Sequence, residues 1–179
     1  MTELQKFARM KVAALFKGIN FSHNPTKTVD ALFKTKNGMA GISNKIFGWA
    51  ARSSHPEVIQ GANKGQDIVH KTIMEGASNP RVGGLASPGS GVAFVKRKSE
   101  TPFKSRGGRR EVVAHEAFHA RHPIIGAMET PAYAYGGFKR GKPGTSLVRR
   151  LKESAVAGRR GLKQDFPTFS RWMGKTKEE

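Results

Sequence analysis

Apolar positions in the first part of the chain recur every three or four residues, the period of a helix with one buried face. Leu4, Phe7, Ala8, Val12, Leu15, Phe16 and Ile19 make one such stripe, with Lys6, Arg9, Lys11 and Lys17 around it. Asn24-Pro25 offers a cap and a first-turn proline for a second helix through about Lys36, carrying Val29, Leu32 and Phe33 and closed by Gly38. Met39 to Ala51 continues as a glycine-spaced apolar segment with Ile42, Ile46, Phe47 and Trp49. Pro56 to Glu75 places Val58, Ile59, Ala62, Val69 and Ile73 at helical spacing.

The pattern then changes. Asn79 to Gly91, rich in Gly, Pro and Ser, reads as a loop. Gly91 to Arg97 is the clearest strand, with β-branched and aromatic residues bounded by turn formers. Lys98 to Arg110 reads as a basic loop leading into a helix over Glu111–His122, which Pro123 stops. Pro123 to Gly126 suits a chain reversal, and Met128 to Tyr135 a short helix with Pro131 in its first turn and Gly136-Gly137 after its end. A last helix carries Leu147, Val148, Leu151 and Val156. The expected fold class is α+β, mostly helical.

The helix over Glu111–His122 holds the chemistry. His115 and His119 lie one turn apart on one face, about 6 Å along the axis, a spacing from which two imidazoles converge on one tetrahedral Zn²⁺. Glu116 is rotated by about 100° from His115 and can reach a water beside that ion without ligating it. His115-Glu116-Ala-Phe-His119 therefore supplies two ligands and a general base within one short segment. A catalytic zinc needs a third protein ligand and an open position. Glu129 is one candidate, since a reversal after Pro123 returns the chain toward His119. His122 is the other, on the same helix face as the pair. His23, His55 and His70 read as ordinary loop or helix residues. Tyr133 and Tyr135, the two tyrosines of the chain, either pack the short helix or stabilise the oxyanion of a hydrolysed carbonyl. Being two apart, at most one of them faces the metal.

His115-Glu116-Ala-Phe-His119 followed by Glu129-Thr-Pro-Ala132 resembles the zincin metallopeptidases, in particular the short gluzincins, over about residues 90–138. The resemblance implies His115, His119 and Glu129 as zinc ligands and Glu116 as general base. It implies a core of an edge strand, a motif helix and a short second helix, the strand (Val92 to Val95) bordering the cleft and pairing with an extended substrate. The gap between His119 and Glu129 is unusually short for that family. Three segments follow: a helical N-terminal part over 1–78, a zincin-like metal-binding core over 79–138, and a basic C-terminal extension over 139–179.

Composition bounds these expectations. The 179 residues suit one domain with appended segments, and 21 glycines imply thin packing and many loops. The chain has no cysteine, which excludes disulfides and thiolate zinc sites, so any metal is held by nitrogen and oxygen. No apolar run approaches the roughly 18 residues of a membrane span, and the basic N-terminus makes a poor secretory signal, so an intracellular (cytoplasmic) or virion-associated protein is expected. The net charge of +19 concentrates in Lys96–Arg110 and Lys139–Lys163. Such clusters attract nucleic acid or other polyanions without reading sequence. The amphipathic N-terminal stripe suits core packing or peripheral contact with an anionic membrane. Two function classes result. One is a zinc-dependent metallopeptidase acting on peptide or protein substrates through a metal-activated water. The other is a basic structural or nucleic-acid-associated protein, of the kind found in phage particles, in which the histidine motif does no catalysis.

Overall fold

The computed structural model describes residues 17–97, 99–100, 106–140 and 144–166, with no side chain described for Arg106. The apolar stripe from Leu4 to Phe16 lies outside the described residues, and Ile19 precedes the first strand rather than ending a helix. Chain order is β1 (Asn20–Ser22), α1 (Pro25–Lys34), α2 (Gly38–Ala50), α3 (Pro56–Ser78), β2 (Gly84–Ala86), β3 (Val92–Val95) and α4 (Arg106–Arg121). A single 3-10 turn (Ile125–Ala127) then leads into α5 (Glu129–Arg140) and α6 (Leu147–Asp165). The fold is α+β and mostly helical, as the periodicity indicates.

Local signals account for the first helices. The Asn24 side chain accepts from Lys27 N at 3.2 Å, and Pro25 fills the first turn where its missing N–H costs nothing. Gly38 opens α2 instead of closing α1. Its φ is +61°, and a Cβ there would lie 2.3 Å from the Pro88 carbonyl oxygen, so glycine lets α2 press on the turn before β3.

The three strands run β1-β3-β2, with β1 parallel and β2 antiparallel to β3. Val92–Val95 is therefore the central strand, not the edge expected of it. All four of its residues are buried, as an unbroken apolar run requires when both faces are covered. Val92 joins Val29, Leu32 and Ile73 in the core beneath α1 and α3, with Leu85 against them. Ala93 and Val95 take the opposite face, toward α4. The edge beside α4 is β2, a segment whose glycines and small residues read as loop. Lys96, from the first basic stretch, is buried, and its Nζ donates to the Asn79 carbonyl oxygen at 2.5 Å.

Small residues set the packing of α4, α5 and α6. Ala114, Ala117 and Ala120 are the buried apolar residues of α4, while Val112, Val113 and Phe118 are half-buried. The helix begins at Arg106, within the segment expected to be loop, and Gly107 there leaves room for Arg140 of α5. Gly136 and Gly137 do not end α5; both are buried inside it. A Cβ on Gly136 would lie 2.9 Å from Glu111 O of α4, and one on Gly137 2.6 Å from Ala157 Cβ of α6. The buried face of α6 is Ala157, Gly158 and Gly161, and Leu147, Val148, Leu151 and Val156 are exposed. Among the described residues no helix is long and apolar enough to cross a membrane.

Two glycine substitutions should move stability in opposite directions. Gly61, exposed in α3, has open space where a Cβ would stand, so Gly61→Ala should stabilise by ~0.5–1 kcal/mol. A Cβ on Gly161 would lie 2.4 Å from Thr130 Cα, and Gly161→Ala should destabilise by about 1–3 kcal/mol. Urea unfolding midpoints of the two variants against the parent check both signs.

Candidate metal centre

The helical repeat brings His115 and His119 to one face of α4, with their Nε2 atoms 3.0 Å apart. The 3-10 turn reverses the chain and presents Glu129, the first residue of α5, to the same point. Its Oε2 lies 3.3 Å from His115 Nε2 and its Oε1 3.7 Å from His119 Nε2. The three donors fall within 4.8 Å of one another, and His122 is not among them. Ligands bound tetrahedrally at zinc's usual distances are separated by about 3.3 Å; the His115–His119 and His115–Glu129 spacings are close to this, while His119 meets the other oxygen of the carboxylate. Two nitrogens and a carboxylate oxygen also suit zinc chemically, in a chain that offers no thiolate.

One nitrogen of His119 is fixed by its partner. His119 Nδ1 meets the carbonyl oxygen of Gly126, which can only accept, so Nδ1 carries a proton; the neutral ring then offers its Nε2 lone pair to a cation, and the protonated ring instead donates from Nε2 to Glu129. Gly126 must be glycine for this approach, because a Cβ there would stand 2.7 Å from His119 O. His115 Nδ1 is buried with no hydrogen-bond partner among the described residues. Its ring is held instead by the rings of Tyr133 and His119, at 4.4 and 4.6 Å.

Charge is concentrated in the site. Hydrogen bonds from His115 and His119 hold the Glu129 carboxyl down at about 2. Burial pulls His119 down, but its bonds to Glu129 and Gly126 outweigh this and leave it raised. Two imidazole nitrogens and a carboxylate so close together form a site suited to a shared positive charge, a proton or a metal cation. Glu116 is different: burial pushes its carboxyl up to about 7, Glu129 adds to the rise, and the two histidines oppose it. It lies under β2, where a Cβ on Gly84 would come within 2.6 Å of Glu116 Cγ. A cavity of about 400 Å³ opens over this group, walled by β2 on one side and by His115, Glu116, Glu129 and Tyr133 on the other.

Tyr133 is the tyrosine at the cleft, and Gln164 Nε2 of α6 donates to its hydroxyl at 3.3 Å. Tyr135 does not face the histidines. Its ring packs on Phe118 at 5.8 Å beneath Lys139, and it does not line the cleft. His122 stacks on Phe118 at 4.5 Å, away from the cluster. His23 Nδ1 bonds Val95 O, and His55 pairs with Glu57 at the exposed start of α3. The sequence reading missed Gly84, for which Gly83-Gly84 beside a strand was the available sign. It also missed Gln164 and Asp165, which reach the site from the far end of α6 and leave no local signal.

Glu129→Ala should weaken zinc binding by more than about 100-fold, beyond the loss usual for outer-shell partners, whereas His122→Ala should leave it unchanged. Competition titration against a chromophoric chelator distinguishes this from a three-histidine site, which would show the reverse. No protein-family model, curated protein or solved structure matches this chain.

Proposed function

We propose that this protein is a zinc-dependent metallopeptidase, with His115, His119 and Glu129 as ligands and Glu116 as general base. The observation that carries the reading is the convergence of those three donors beside a buried carboxyl, in a cleft bordered by a sheet edge. A bound zinc ion would supply Lewis acidity, polarising a carbonyl and lowering the pKa of a water at its open position. Glu116 would serve as general base toward the attacking water and then as general acid toward the leaving amine. Tyr133 accepts from Gln164, which leaves its own O–H to donate to the developing oxyanion. The outer edge of β2 is the element against which an extended peptide substrate would align.

Glu116→Gln should lower kcat on a peptide library by about 10²–10⁴-fold with zinc stoichiometry unchanged. Tyr133→Phe should also lower kcat, and Tyr135→Phe should not. Zinc lost from the Glu116 variant, or full activity in it, would be fatal to the assignment.

A second reading attaches to the charge. The outer side of α6 carries Arg149, Lys152, Arg159 and Lys163, all exposed, in a chain of net charge +19. Polyanion contact here, with nucleic acid as partner, stands as the alternative in which the protein is a basic structural or nucleic-acid-associated component. It would suit an intracellular or virion-associated setting. Affinity for double-stranded DNA should then fall linearly with salt on a log–log plot. Replacing Lys152, Arg159 and Lys163 by Gln should reduce the slope by up to about 3. Absence of binding near physiological salt would reject the contact.

A further inference from the structure

The first N–H groups of a helix have no partner within it, and the residue preceding α5, Met128, has no side-chain oxygen to cap them. Here the cap comes from the other end of a different helix. Asp165, the last residue of α6, accepts from Glu129 N at 2.8 Å through Oδ1 and from Thr130 N at 2.7 Å through Oδ2. Its negative charge is well placed at the positive end of α5. Gly161, one turn earlier on α6, allows the approach, since a Cβ there would strike Thr130 Cα and the Glu129 carbonyl carbon. The residue whose amide Asp165 grips is the same one whose carboxylate faces His115 and His119.

We infer that Asp165 is a positioning residue for the metal centre: its carboxylate fixes the first turn of α5 and so holds the Glu129 carboxylate opposite the two histidines. This rests on the metallopeptidase reading insofar as Glu129 is taken as a ligand. The same helix steadies two neighbours of the site, through Gln164 on Tyr133 and Arg160, 3.8 Å from Glu111. The basic C-terminal helix thus completes the cleft as well as carrying charge outside it.

The test uses the full chain. Asp165→Ala should lower zinc affinity by about 10–100-fold, the range for lost outer-shell partners, and Asp165→Asn, which keeps one acceptor, by less. Ser146→Ala is the control. It removes the cap at the opposite end of α6, where Ser146 Oγ accepts from Arg149 N, and should leave zinc affinity unchanged. Amide exchange on metal-free protein should show Glu129 and Thr130 losing protection in the Asp165 variants alone. An Asp165→Ala protein that folds and binds zinc within about twofold of the parent overturns the inference, as does equal loss in the control. If Asp165→Ala fails to fold, the Asn variant carries the test. If the parent binds no zinc, the metallopeptidase reading falls. The exchange arm then decides the positioning role alone: lost protection at Glu129 and Thr130 keeps it, unchanged protection removes it.

Discussion

The site depends on how closely α5 lies against its two neighbours. Glu129 is carried at the very start of that helix, so a displacement of its backbone moves its carboxylate directly away from His115 and His119. The helix is held where Gly136 meets Glu111 O of α4 and Gly137 and Gly161 meet the α5–α6 contact. At each of these points a methyl group would intrude on main chain or on another methyl. Helices packed through ordinary side chains sit about 8–10 Å apart; glycine and alanine at the contact permit the near end of that range. What looks like thin packing by composition is close packing of backbone.

A second constraint is the acid buried in a very basic molecule. Glu111 and Glu116 are both nearly inaccessible, one turn before and one residue after His115. Glu111 has two arginines within reach, Arg140 at 3.5 Å and Arg160 at 3.8 Å. Those guanidinium groups are about half exposed, so each pair contributes little by itself. Their importance lies in Glu111, which burial would otherwise leave without compensation. For Glu116 burial outweighs the pull of the two histidines and pushes the carboxyl up to about 7.

Much of this architecture was legible in the chain. Periodicity located α1, α2 and α3, with a cap signal at α1 alone, and the spacing of His115, Glu116 and His119 placed three side chains on α4. Glu129 arrives where a reversal after Pro123 would bring it. The failures share a cause. Glycine was read as a breaker, which misplaced the end of α5 and the start of α4 and hid β2. Glycine in a contact and glycine in a turn are the same letter, and only the neighbouring helix distinguishes them. Leu147, Val148, Leu151 and Val156 mark α6 in the sequence but stay exposed, and the smaller Ala157, Gly158 and Gly161 form its buried face. Asp165 was invisible because side chain–to–backbone capping across distant segments follows no local pattern. Tyr133 and Tyr135 were separable only in part: the strand-like offset of two said they diverge, and the packing of Phe118 decided which one leaves the cleft.

The parallel pairing of β1 with β3 has a kinetic meaning. β2 and β3 are joined by a short connection, whereas β1 is separated from β3 by three helices and β2. That is roughly four doublings of loop length, or about 2 kcal/mol more closure entropy for a three-residue strand to offset. Contacts so distant along the chain form late in folding. β2 pairs with β3 across the short connection and can wall the cleft beside Glu116 first, while β1 adds to the opposite side of β3 only after three helices have been threaded between them.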